Sequence, residues 1–245
     1  MNWIIQYILS FVLILFAIIS GYVLKIKAQK VFSETEAVGS EKEITGEILT
    51  KTLAKNNNLN TTIAKINTNK TNYYSFKYNV IKLSSNTLYS YEFSQLAICA
   101  FCTKQALFAK NNGFLYVVNI ALNFLAKLLT IIFIPTLLVC SILNISFNLN
   151  KISFLILTIS AVCFAVCIVF ELIKLLFQLI STKKFISNIK KTNFFSEKEL
   201  NILKNQMQAI YKLSYADFTT YSLSFFKLLN PDILFNVKSN SDEQN

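Results

Sequence analysis

The 245 residues contain no histidine and no arginine. Without imidazole there is no Ser-His or Cys-His nucleophile pair, no histidine general base and no histidine-ligated metal. Without guanidinium the planar fork that grips phosphates and carboxylates in two places is also missing. Every one of the 24 basic residues is a lysine, and 13 acids leave a formal charge of +11. Lysine point charges suit an anionic membrane surface as well as nucleic acid. The same excess, with abundant Asn, Ile and Phe, is what AT-rich coding produces. Only four glycines and two prolines are present, while 53% of residues are hydrophobic and 15% charged. With a mean hydropathy of +0.46, this composition excludes a turn-rich soluble domain and predicts long apolar helices in a membrane.

Three uncharged runs are long enough to cross a hydrocarbon core of about 30 Å. Trp3 to Leu24 lacks the basic n-region and small-residue cleavage site of a signal peptide, so it reads as an uncleaved anchor over residues 1–24. Leu128 to Phe147 contains Pro135, which a membrane helix tolerates, and Ile152 to Phe170 follows after a short link, its span continuing to about residue 172. These two form an antiparallel hairpin within residues 114–182. Lysines gather after the first span (Lys25, Lys27, Lys30) and after the third (Lys183, Lys184, Lys190, Lys191), with only Lys151 between the second and third. By the positive-inside rule the amino terminus is outside and the polar region cytoplasmic.

That polar region, residues 25–113, holds 12 lysines and 6 glutamates. Thr45 is placed to cap a short helix with Glu47 in its first turn. Thr61 to Ile66 and Tyr78 to Leu83 are β-branched and partly alternating, which predicts a hairpin. Ser90 to Ala109 predicts a helix stopped by Asn111, Asn112 and Gly113. Residues 183–235 comprise a basic linker, a helix capped by Ser196 with Glu199 completing a capping box, and an apolar stretch, Ala209 to Leu229, that is interfacial or a fourth span. A disordered tail is predicted over 236–245. The fold class is therefore mainly α: three or four membrane spans and a small α+β cytoplasmic domain.

The order of these segments, the Thr45-Gly46 helix start, the strand Asn79-Val80-Ile81-Lys82-Leu83-Ser84 and the Ser196-Glu197-Lys198-Glu199-Leu200 segment together resemble the bacterial neutral zinc metallopeptidases that sit in the membrane. The resemblance implies an H-E-x-x-H motif on the helix after that strand. Its two imidazoles, one turn apart, ligate zinc while the glutamate acts on the bound water. Carried forward from Leu83-Ser84, the motif falls on Phe101-Cys102-Thr103-Lys104-Gln105. Phe101 and Gln105 stand at the ligand positions, Cys102 stands at the base, and Lys104 adds positive charge beside the place of a dication. The implied third ligand falls on Gln178, with Glu171 two turns earlier on the same helical face as the alternative. The resemblance thus implies a zincin-like helix that has lost its zinc ligands: a pseudopeptidase that acts as a scaffold or binds a membrane-protein partner, with no cofactor.

Three alternatives stay open beside it. One is an active peptidase of the same family, against which the absent histidine weighs. Another is a thiol redox or metal-handling protein using Cys99 and Cys102, which have C-x-x-C spacing, with Cys163 and Cys167 as further thiolates. Against this, buried cysteines are ordinary packing residues. A structural membrane protein unrelated to peptidases is a third reading. Glu171, Lys174 and Lys127 lie near span ends, where they reach water. There is no Gly-rich phosphate loop and no aromatic-basic nucleic-acid module. The expected partners are the lipid bilayer and a membrane protein, and nucleic acid is not among them.

Overall fold

The computed structural model describes residues 2–35, 38–67, 71–147 and 150–221. Among them the chain order is α1 (Asn2–Glu34), α2 (Gly46–Asn56), β1 (Thr62–Ile66), β2 (Tyr73–Ser75), β3 (Val80–Ser84), α3 (Ser85–Tyr89), α4 (Phe93–Asn111), α5 (Gly113–Phe147), α6 (Asn150–Lys190) and α7 (Glu197–Thr220). Helix dominates, with one small sheet, as the composition predicts.

Helices α1, α5 and α6 are each long and apolar enough to cross a membrane. Their outward surfaces explain the hydropathy: Phe11 is 60% exposed, Phe124 70% and Phe177 70%. In water, exposed apolar patches of this size are rare; in lipid they are the solvated surface. Helix α5 runs unbroken through Pro135. Both α5 and α6 extend well past the uncharged runs, because lysines and glutamines at a helix end interrupt the apolar stretch without breaking the helix.

The chain divides into two compact units. The first joins residues 1–23, 122–173 and 215–245. Among its described residues, Ile14, Ala17, Phe133, Ile134, Phe164 and Ile168 form a core, with the Phe133 and Phe164 rings stacked at 4.3 Å. Ser20 and Tyr215 share a hydroxyl hydrogen bond of 3.1 Å, and Gly21 brings α1 so close to Thr219 that a Cβ there would lie 1.9 Å from its Oγ1. Small residues at such crossings are how membrane helices gain packing contact.

The second unit joins residues 24–121 and 174–214. Its sheet has the order β1-β3-β2. Strand β1 pairs parallel with β3, Ile63 beside Ile81, while β2 is antiparallel to β3, Tyr74 beside Ile81. The expected hairpin between the first and last of these strands is therefore corrected. Tyr73–Ser75, hidden in the polar run between them, supplies the antiparallel partner, and β1 reaches β3 by a crossover, as parallel pairing requires. Asn79 makes the tight turn at φ 49° and is held by its own side chain, donating to the Asn60 carbonyl and accepting from the Tyr74 hydroxyl.

The helix expected over 90–109 forms as α4, starting three residues later. A separate turn of helix, α3, precedes it, capped by the Ser84 hydroxyl. Helix α4 starts at Phe93, whose N–H donates to Val38 O. The Thr45 cap forms, its hydroxyl accepting from Ile48 N–H at 3.4 Å. So does the capping box, with Ser196 N–H donating to Glu199 Oε2 at 2.7 Å. Helix α7 then continues through Ala209 without a break, because Lys212 and Asp217 are tolerated in a helix even where they interrupt an apolar run. Residues 222–229 of the expected fourth span and the tail from 236 lie outside the described residues.

Candidate functional site

Helix α4 carries the residues to which the resemblance points. Its buried seam, Phe93, Leu96, Ala97, Cys99, Ala100, Cys102, Thr103, Ala106 and Ala109, follows three- and four-residue spacing and fixes which faces turn inward. One side of the seam packs with Leu49, Leu53, Ile189, Leu203 and Met207. The other side packs with Ile81, Leu83, Leu88 and Tyr116. Small residues along the seam let these neighbours approach the α4 backbone closely.

Cys99 and Cys102 are wholly buried and unpaired by any disulfide. Burial pushes the Cys99 thiol up to about 12, against a weaker downward pull from a hydrogen bond with Thr50. Burial, reinforced by Cys99, pushes Cys102 higher still. A thiolate is the nucleophile and the metal ligand, so both positions are suited to packing and poor for redox work. We expect alkylation of both thiols in the folded protein at neutral pH to be on the order of a thousandfold slower than in the unfolded chain, as measured by mass spectrometry of modified peptides. Comparable rates would revive the redox reading. Cys163 and Cys167 lie in the other unit. Among the described residues no group of three or more His, Cys, Asp or Glu is placed to hold a metal.

Phe101 and Gln105 are half-buried on the face of α4 beside the seam. Phe101 meets the ring of Tyr211 from α7 at 5.3 Å between centroids. Lys104, between them in sequence, reaches across to α6. Its Nζ donates to the Gln178 carbonyl at 3.3 Å and to Thr182 Oγ1 at 3.0 Å, and it lies 4.7 Å from the centre of the Tyr211 ring. Thr182 in turn donates to Gln178 O at 2.8 Å and is hydrogen-bonded with Tyr211. Burial pushes the Tyr211 hydroxyl above its ordinary range, offset in part by that bond. The structure thus brings together Phe101, Lys104, the backbone of Gln178, Thr182 and Tyr211. Cys102 faces the core instead, and Glu171 is buried in the other unit.

The sequence reading missed Thr182 and Tyr211. Thr182 has a signal, since it is one helical turn beyond Gln178. Tyr211 has none, because only the packing of α7 brings it here.

The acceptors around Lys104 are neutral, so burial pushes the ammonium down to about 8. The folded state then favours the neutral amine relative to the unfolded chain, where the ordinary value is 10.5. Between those values the unfolded chain binds more protons, so this group's contribution to stability rises with pH from about 8 to 10.5. Replacing Lys104 by methionine, of similar length and no charge, is expected to be neutral or stabilising at pH 7 and to flatten that rise. Thermal unfolding across the window checks both.

A zinc ion does not fit this set. The residues to which the resemblance points offer a phenyl ring, a buried thiol held protonated and two neutral amides, with an ammonium beside them, whereas a catalytic zinc takes three nitrogen, sulfur or oxygen ligands and an open place for water.

The family described as "Putative neutral zinc metallopeptidase" matches residues 10–226. No curated protein and no solved structure gives a significant match.

Proposed function

The chain belongs to the neutral zinc metallopeptidase family, and from that premise we propose that it is a pseudopeptidase: a membrane protein that keeps the family's scaffold, lacks its zinc chemistry and works by binding a membrane-protein partner. The observation that carries this reading is a sequence with no histidine, so that no register supplies the two imidazoles of H-E-x-x-H; the register implied by the resemblance sets Phe101, Cys102, Gln105 and Gln178 at the places of two ligands, base and third ligand. The ammonium of Lys104 supports it, since it opposes a bound dication, and so does the buried thiol of Cys102, which is protonated and supplies no base. The residues the reading assigns to the peptidase-like part, 25–113, lie in the cytoplasm, with the amino terminus outside. Lysine asymmetry supports that orientation.

The test uses the full chain purified from membranes in mild detergent. Metal analysis is expected to find less than about 0.1 zinc per chain, with no peptide hydrolysis that a chelator abolishes. Crosslinking in intact membranes is expected to capture a specific membrane protein. Stoichiometric zinc with chelator-sensitive hydrolysis would overturn the reading in favour of an active peptidase, and crosslinking without a specific partner would overturn the binding role.

A further inference from the structure

We infer that the Lys104 ammonium stands in the place of the family's metal ion, as the cation where α4, α6 and α7 meet, and that it keeps a divalent cation out of that place. The inference rests on the pseudopeptidase reading, because that reading sets residues 101, 105 and 178 at ligand positions. Lys104 is three residues after Phe101 and one before Gln105, so it flanks the helical face that the two lost imidazoles would have used. Its tip lies 3.3 Å from the backbone of Gln178, the position of the lost third ligand. A metal at this point would link α4 to α6 through side chains from both. Here Lys104 makes the link from α4 to the Gln178 carbonyl and the Thr182 hydroxyl of α6.

The surroundings suit an ammonium and oppose a second cation. An ammonium has three N–H groups and no acceptor. Lys104 has three electron-rich neighbours: the Gln178 carbonyl, the Thr182 hydroxyl and the face of Tyr211. An aromatic face attracts a cation and is not a zinc ligand. The four substituted positions are all uncharged at neutral pH, so nothing there offsets repulsion between an ammonium and a dication a few ångströms apart, which a partly dry interior strengthens. Restoring the ligands brings in carboxylates, but the Lys104 ammonium then competes with the metal for them and still occupies the place.

Two full-length variants in mild detergent test this. The first carries Phe101→His, Cys102→Glu, Gln105→His and Gln178→Glu; the second adds Lys104→Ala. Zinc alone is the probe, measured by competition with a chelator of known affinity, and protection of Cys99 from alkylation reports that each variant is folded. The second variant is expected to take one zinc per chain, and the first to bind at least about a hundredfold more weakly. Affinities within about threefold of each other would overturn the inference. If neither folded variant binds zinc, the register that sets 101, 105 and 178 at ligand positions is wrong, and the inference falls with it.

Single substitutions keep the inference testable if the multiple variants do not fold. With Lys104 present, Gln178→Glu gains an ammonium partner and is expected to leave Cys99 protection within about twofold of the native chain. With Lys104→Ala, the same carboxylate is unpaired, and Cys99 is expected to react about tenfold faster. Additive effects would mean that the ammonium does not occupy the place the third ligand reaches, and would overturn the inference.

Discussion

Replacing Gly46 by alanine is expected to destabilise the second unit by about 3 kcal/mol, through overpacking against parts that cannot give way. Gly46 opens α2 with ordinary negative φ, so space rather than backbone conformation makes it necessary. A Cβ there would lie 2.2 Å from the Thr87 carbonyl oxygen and 2.6 Å from Cys99 Sγ. The carbonyl belongs to α3, which is held at Thr87 by bonds to Ser84, Asn72 and Gln95. Moving it away would disturb that network and the Cys99 thiol that points at the same carbonyl. Moving α2 instead would strain the Gly46 N–H bond to Ser90 O and open the contact of Leu49 and Leu53 with α4. Neither relaxation is free, which is why the effect exceeds alanine's intrinsic gain of about 1 kcal/mol over glycine in a helix. Gly113→Ala is the control. The nearest atom to its Cβ would be Phe76 Cζ at 3.9 Å, so that variant should match the native protein or exceed it. Urea unfolding followed by Cys99 alkylation separates the two, and a Gly46→Ala variant within about 0.5 kcal/mol of the native chain would refute the packing account.

The Gly46 position shows what kind of structure a sequence displays. The Thr45-Gly46 start is local, because one hydroxyl and one backbone turn decide it. The Ser196-Glu199 box is local in the same way. The three spans were legible because each is a single long run whose burial in lipid does not depend on a partner helix. The sheet was not legible, because the choice between Tyr73–Ser75 and Thr62–Ile66 as the antiparallel neighbour of β3 depends on hydrogen bonds between distant segments. Tyr73 and Tyr74 suit a strand, but two tyrosines inside a polar run do not say which segment they pair with. The candidate site divides along the same line. The absence of histidine and the identity of Phe101, Gln105 and Gln178 can be read in the chain. That Lys104 spans to Thr182, 78 residues on, and lies under Tyr211 cannot, since the side-chain contacts that place it are made only when α4, α6 and α7 pack.

Glu199→Gln is expected to destabilise the protein by about 2 kcal/mol at pH 7, and to remove part of its acid sensitivity, even though the substitution is nearly isosteric. The buried carboxylate has two separate tasks. Oε2 accepts from Ser196 N–H at 2.7 Å, closing the start of α7, while Oε1 accepts from Glu41 N–H at 2.9 Å, tying that start to the segment before α2. A glutamine has a single acceptor oxygen, so its amide NH2 must face one of these N–H groups, leaving a part-buried donor without its partner. Alanine should lose both bonds and cost somewhat more, on the order of 3 kcal/mol. Burial alone would raise the Glu199 carboxyl. The backbone donors of Ser196 and Glu41, with the Ser196 hydroxyl and the charge of Lys42, outweigh it and hold the group below its ordinary 4.5. A carboxyl depressed by folding stabilises the native state fully above the ordinary value and loses that contribution as pH falls through 4.5 toward the native value. Urea midpoints of native and Gln proteins should therefore differ most at neutral pH and converge as pH falls through 4.5 toward the native value. A constant difference across that range would mean that the carboxylate's charge has no part in holding α7 in place.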